Sequence, residues 1–224
     1  MLYGEAGCFT SVVSGGCCTA CERGRGLAVP ASSLCDGRRA VRVAAVVLAA
    51  GASSRLGEAK QLVRLGAENL LERAVHVARD AECSPVVVVL GASAALIQAR
   101  CDLDDAVIVV NHDWAEGMGS SIPVGVEALR DVDGCVVMTC DMPAVTAEHL
   151  RGLMASGELT ASSYAGRRGV PAYFPAASFP MLMKLHGDVG ARDLLRSARC
   201  VELSGGELDV DTVKDLARAR DLFG

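Results

Sequence analysis

A single α/β domain, with a mainly parallel sheet covered by helices on both faces, follows from three features of the chain. From residue 41 onward, continuous apolar runs alternate with amphipathic stretches, the pattern of strand–helix–strand units. The apolar runs stop at turn-forming or polar residues such as Gly51, Gly91 and Asp141. The composition can build a core: 51% of the 224 residues are hydrophobic and 22% charged, which excludes a wholly disordered chain, a coiled coil and a collagen-like repeat.

Val41 to Ala50 reads as a buried strand, β-branched and uninterrupted up to Gly51. Asn69 to Ala81 reads as a helix with Leu71, Ala74, Val75 and Ala78 on one face. A second strand, Val86 to Leu90, follows Pro85, then a helix from Ser93 to Arg100 and a third strand from Ala106 to Val110. Ser121 to Arg130 is expected to be helical, with Pro123 early enough to fall in the first turn. Gly134 to Thr139 is the fourth strand, and Thr146 is placed to cap the helix after it. Thr160 to Tyr164 and Val170 to Phe174 can pair around a turn at Gly166 to Gly169. Ala176 to Leu185 and Ala191 to Ala198 read as helices, Val201 to Leu203 as a short strand, and Thr212 to Phe223 as the closing helix.

Residues 1–40 differ from the rest. They are rich in Gly, Ser, Ala and Cys without a sustained period, and read as a disordered Cys-rich extension of a domain spanning 41–224. A zinc site at Cys17, Cys18 and Cys21 would need Cys8 or Cys35 as fourth ligand, and the spacing matches no zinc pattern well. Cys83, Cys101, Cys135, Cys140 and Cys200 are scattered singly through apolar segments. That is the usage of a reducing compartment, so a cytoplasmic protein is expected. No basic start leads into an apolar run, and no stretch approaches the ~18 apolar residues of a membrane span. A net charge of −5 argues against a nucleic-acid partner.

Ligands of open parallel sheets sit beyond the C-terminal ends of the strands, and two segments there carry chemistry. Leu48-Ala49-Ala50-Gly51-Ala52-Ser53-Ser54-Arg55-Leu56-Gly57, followed by Lys60, offers backbone donors, hydroxyls and two cations in one loop. Such a loop can cradle a polyphosphate, or can be a strand-end turn with basic residues in solvent. It is neither a Walker loop nor a dinucleotide turn. Thr139-Cys140-Asp141-Met142-Pro143 puts a carboxylate at a strand end, suited to Mg²⁺ beside phosphates or to capping a turn. The four histidines and the serines show no nucleophile–base pairing, so hydrolase chemistry is not expected.

Together these segments resemble the MobA-like NTP transferase family, which contains the molybdenum cofactor cytidylyl- and guanylyltransferases. Leu48 to Lys60 is similar to its signature L-A-[AG]-G-x-S-x-R-[ML]-G-x-x-K throughout. Trp114 to Ser121 resembles W-x-x-G-M-x-S-S, and Gly169-Val170-Pro171 with Phe174 resembles G-x-P-x-x-F. Gly187 to Arg192 resembles G-D-x-G-A-R, and Asp209 to Thr212 resembles D-[IV]-D-T.

The resemblance implies a Rossmann-like fold of the glycosyltransferase-A type. It also implies attack by the phosphate of molybdopterin or molybdenum cofactor on the α-phosphorus of CTP, with loss of pyrophosphate. Arg55, Lys60 and Asp141 would be catalytic, and Leu48, Ala49, Ala50, Gly51, Ser53, Ser54, Gly119, Ser120 and Ser121 would bind nucleotide. Gly169, Pro171, Asp188 and Arg192 would face the acceptor. Mg²⁺ would be held by Asp141 and Asp211, with Asp209 as the other candidate for the second ligand. Ala49-Ala50 favours CTP, whereas Met142 after Asp141 leans toward GTP. A molybdenum hydroxylase apoenzyme is the expected recipient. The competing readings are another acceptor, a non-catalytic cofactor-delivery protein and a nucleotide-binding regulator.

Overall fold

The computed structural model describes residues 39–103, 105–187 and 190–224; the expected N-terminal extension and its cysteines, and Asp188, lie outside them. Val43–Ala49 (β1) is buried along nearly its whole length. It pairs in parallel with Val86–Leu90 (β4) on one side and Gly134–Thr139 (β6) on the other. Val107–Val110 (β5) extends the sheet in parallel beyond β4. Arg167–Pro175 (β8) adds antiparallel to β6, and Thr160–Tyr164 (β7) pairs with β8 and with Arg199–Glu202 (β9). The order is β5-β4-β1-β6-β8-β7-β9, a parallel half joined to a mixed half.

Side chains of β1 alternate between the two faces, as the strand period requires. Ala45, Val47 and Ala49 pack with Leu71, Val75, Leu150 and Leu153, from helices Leu70–Asp80 (α1) and Ala147–Met154 (α4). Ala44, Val46 and Leu48 pack with Ile122, Val126, Leu182 and Leu195, from helices Met118–Glu127 (α3), Phe179–Leu182 (α5) and Arg192–Leu195 (α6). Gly125 lets α3 settle on Val46 and Val89, where a Cβ would collide. A short antiparallel pair, Arg64–Leu65 (β2) with Glu68–Asn69 (β3), packs under the closing helix Val213–Phe223 (α7) through Leu65, Leu70, Val210 and Leu216.

Caps set the long helices. Asn69 and Glu72 form a reciprocal capping box on α1, and Thr212 with Asp215 does the same on α7. Thr146 caps α4 as expected. Helix Ala94–Arg100 (α2) forms part of the crossover from β4 to β5. No described helix is long and apolar enough to cross a membrane.

Several expected boundaries shift. The β7–β8 hairpin turns on Ala165 and Gly166, both with positive φ (47° and 73°), rather than on 166–169. These are the dihedral signs of a two-residue hairpin, so Arg167 and Arg168 belong to the strand. A bulge at Ala161/Ser162 absorbs Val170 and Pro171. Helix α3 starts at Met118, which moves Pro123 into its second turn and places Gly119, Ser120 and Ser121 in the first. The expected helix over 176–185 is a 3-10 turn at Ala176–Ser178 leading into a single α turn at Phe179–Leu182, and that over 191–198 is a single turn at Arg192–Leu195.

Candidate active site

The site forms where the loop after β1, the end of β6 and the segment before α7 converge. Gln61, which is fully buried, donates from Nε2 to the carbonyls of Ala49 (2.7 Å) and Gly51 (3.0 Å). The Lys60 amide donates to Ser53 Oγ at 3.1 Å, closing the loop on itself. Backbone contacts lock the other two segments together: Val210 donates to the Asp141 carbonyl at 2.9 Å. The loop cations thereby meet the carboxylates of β6 and the pre-α7 segment.

Lys60 Nζ lies 2.5 Å from Asp141 Oδ2 and 2.8 Å from Asp211 Oδ1, and Arg55 Nη2 donates to Asp211 Oδ2 at 2.8 Å. Burial works against the Lys60 charge, but the Asp141 charge and the hydrogen bonds to Asp141 and Asp211 overcome it and raise the pKa above the ordinary lysine value. Burial likewise pushes Asp211 up, and Lys60 and Arg55 together bring it below the ordinary carboxylate value. Among the described residues Asp209 has no such partner in contact; burial, then the Asp141 charge, push it up to about 6. Asp141 Oδ1 is buried and, among the described residues, has no hydrogen-bond partner. Among the described residues, no group of three or more His, Cys, Asp or Glu is arranged to hold a metal by itself.

Two cavities meet at this cluster, and Lys60, Met118, Thr139 and Asp141 line both. The smaller, about 220 Å³, is walled by Leu48, Ala49, Ala50, Gly51, Trp114 and Ser121. The larger, about 390 Å³, is walled by Arg55, Tyr164, Gly169, Arg192, Asp209 and Asp211, with Arg167 and Arg168 from the hairpin. The guanidinium of Arg167 sits 5.2 Å from the centre of the Tyr164 ring.

The remaining residues singled out from sequence stand around these cavities. Ser53 holds the loop, and Ser54 is exposed on it. The Gly119 amide donates to the Gly187 carbonyl at 2.8 Å, and a Cβ there would strike the carbonyls of His186 and Gly187. Ser120 Oγ is occupied by Asn111 Nδ2 at 2.8 Å and the Gly117 carbonyl at 2.8 Å. The Pro171 carbonyl accepts from Ser162 Oγ at 2.6 Å. Of the residues not anticipated, Arg167 and Arg168 had a signal, adjacent cations beside a hairpin turn between apolar strands. Trp114 opened the W-x-x-G-M-x-S-S resemblance without a role of its own, and Gln61 and Tyr164 had no signal until the fold placed them. His149 is buried with Nε2 2.7 Å from Ser162 Oγ, and burial lowers its pKa.

Known proteins agree with this architecture. The MobA-like NTP transferase domain model matches residues 45–203. The chain is 36% identical to the nicotine blue oxidoreductase of Paenarthrobacter nicotinovorans over 79% of its own length and 95% of that protein's. It is 25% identical to the molybdenum cofactor cytidylyltransferase of Escherichia coli K12, over 80% of its length and 95% of that protein's. Among solved structures, the manganese complex of Rv0371C from Mycobacterium tuberculosis H37Rv superposes with a TM-score of 0.69 at 31% identity, covering 81% of this chain and all of that one. The match over most of the chain, with the loop after β1 beside the aspartate that follows β6 at the C-terminal ends of the parallel strands of a Rossmann-like sheet, means that this protein is a nucleotidyltransferase of the MobA-like NTP transferase family.

Proposed function

We propose that residues 41–224 transfer CMP from CTP to the phosphate of molybdopterin or molybdenum cofactor, with release of pyrophosphate. The observation that carries this reading is the Arg55–Lys60–Asp141–Asp211 cluster at the junction of the two cavities. Nucleotide occupies the smaller cavity and acceptor the larger, so the reacting phosphates meet over the cluster. An acceptor phosphate oxygen bonds to the α-phosphorus while the bond from that phosphorus to the β-phosphate oxygen breaks. The acceptor phosphate is already anionic, so no strong general base is required, in keeping with a buried histidine engaged elsewhere. Arg55 and Lys60 neutralise the charge that develops on departing pyrophosphate.

The residues present fit Mg²⁺. Asp141 and Asp211 would hold it, with Asp141 Oδ1, which has no partner among the described residues, as a ready ligand atom. Two carboxylates completed by phosphate oxygens and water are its usual shell. The ion supplies further neutralisation of phosphate charge when bound. Lys60 is then the counter-ion of the carboxylates in the ligand-free protein, and passes from them to the phosphates when nucleotide arrives.

The cytidylyltransferase among the relatives and the Ala49-Ala50 pair support CTP over GTP, and the hairpin arginines suit an anionic acceptor. Free thiols at Cys83, Cys101, Cys135, Cys140 and Cys200 suit the cytoplasm, where a molybdenum hydroxylase apoenzyme would receive the product. Pyrophosphate release in the presence of Mg²⁺, molybdopterin and either CTP or GTP tests the assignment. Acceptor-dependent release with CTP is expected; faster release with GTP would change the base, and none with either would remove this acceptor.

A further inference from the structure

The backbone of the loop after β1 is oriented by one buried side chain. The Ala49 and Gly51 carbonyls are both drawn to Gln61 Nε2, at 2.7 and 3.0 Å, and the intervening Ala50 carbonyl accepts from the Ala92 amide at 2.9 Å. In a trans peptide the carbonyl of one residue and the N–H of the next point in opposite directions. Anchoring these carbonyls in the protein therefore turns the N–H groups of Ala50, Gly51 and Ala52 away from their anchors. Among the described residues, the Gly51 and Ala52 amides donate to no backbone acceptor. Ala50 and Gly51 line the smaller cavity, and a Cβ built on Gly51 would meet nothing within 4 Å.

The direction of the Gln61 amide is fixed by the same contacts. Reversing it would set Oε1 against two carbonyl oxygens. In the observed orientation Oε1 is buried with no partner among the described residues. Leaving a buried acceptor unmade is unfavourable, and a purely apolar side chain of similar length would fill the space without it, but only by taking the donors away from the Ala49 and Gly51 carbonyls. The donors, not the packing volume, are what the position uses.

We infer that Gln61 is a positioning residue whose two amide hydrogens hold the Ala49–Ala52 backbone as an N–H cradle for acceptor atoms of the bound nucleotide. The inference rests on the nucleotide reading of the smaller cavity. Gln61→Met keeps length and apolar burial but removes the donors; Gln61→Glu keeps shape and replaces donors with acceptors. Trp114 is the only tryptophan of the chain and lines the cavity, so its fluorescence reports occupancy directly.

The experiment titrates the full chain and both variants with Mg·CTP by Trp114 fluorescence, with melting temperatures alongside. Amide hydrogen exchange of the wild type is followed with and without Mg·CTP. Gln61→Met should bind about tenfold more weakly or worse with at most a modest loss of melting temperature, and Gln61→Glu, whose buried carboxyl would face two carbonyl oxygens, should bind more weakly still and melt below the wild type. In the wild type the Gly51 and Ala52 amides should exchange freely alone and become protected by Mg·CTP. This last readout needs no variant and decides the matter even where a variant does not fold. Unchanged affinity in Gln61→Met, or Gly51 and Ala52 amides that stay unprotected in saturated wild type, would overturn the role of Gln61 while leaving the nucleotide site intact. No binding of Mg·CTP or Mg·GTP by the wild type would overturn the nucleotide reading and this inference with it.

Discussion

The two cavities that flank Lys60 and Asp141 are built by different means. The smaller has Ala49, Ala50 and Gly51 at the end of β1 as one wall, where side chains are small enough to leave backbone within reach, opposite Trp114 and Met118. The larger is made of side chains on the β7–β8 hairpin and around α6, where Arg167, Arg168 and Arg192 gather. A wall of backbone donors suits a phosphate chain common to many substrates. A wall of long cationic side chains can be altered one residue at a time without disturbing the sheet. Relatives of this chain bear names as different as an oxidoreductase and a cytidylyltransferase, in keeping with one fold hosting different functions.

Disrupting the shared floor should have the largest effect. Asp141→Ala should lower turnover by ~100-fold or more, since it removes the proposed metal ligand and a Lys60 partner together, while circular dichroism and melting remain close to wild type. Lys60→Gln should reduce turnover to a similar order but tighten Mn²⁺ binding in the absence of nucleotide, read by electron paramagnetic resonance. The ammonium that now bridges Asp141 and Asp211 competes with the metal; equal or weaker Mn²⁺ binding in the variant would contradict a counter-ion role.

The acceptor half should respond separately. Replacing Arg167 and Arg168 together by Ala should raise KM for the acceptor about tenfold, the scale of one or two charge-assisted hydrogen bonds. KM for the nucleotide should stay unchanged. If both KM values rise in parallel, the cavities do not divide the substrates in this way.

Asp209 offers a smaller, pH-dependent effect. Its pKa is raised from 3.8 to about 6 in the folded protein, so the folded state holds the proton more tightly than the unfolded chain. Stability from this group is fully present below the unfolded value and is lost as pH rises through about 6. Asp209→Asn should therefore melt higher than wild type at pH 7, with the advantage vanishing near pH 4; a constant difference across pH would rule this out. The smallest effect belongs to the N-terminal segment: deleting residues 1–40 should leave activity and melting temperature unchanged.

Much of this was legible before the fold was known, for identifiable reasons. The central strands are continuous β-branched runs, and the capped helices carry Asn69 and Thr212 immediately before their apolar faces. Arg55, Lys60, Asp141 and Asp211 lie in segments whose spacing matches a known pattern, and the structure brings them into one cluster. What the sequence concealed depends on tertiary placement. Arg167 and Arg168 look like turn residues until Ala165 adopts a left-handed conformation and shortens the turn. Gln61 looks like an ordinary polar residue after Lys60; only its burial beneath the loop reveals its two carbonyl partners. Gly119 stands in a motif near the nucleotide side, yet its amide serves the contact between α3 and the Gly187 carbonyl.

The most direct test of nucleotidyl transfer at the Lys60–Asp141 junction is to follow two labels in parallel, [α-³²P]CTP and [γ-³²P]CTP, with molybdopterin and Mg²⁺. The α label should pass to the acceptor and the γ label to pyrophosphate, and Asp141→Ala should abolish both transfers together. Recovery of the γ label in the acceptor would contradict attack at the α-phosphorus, and transfer undiminished in Asp141→Ala would place the chemistry elsewhere.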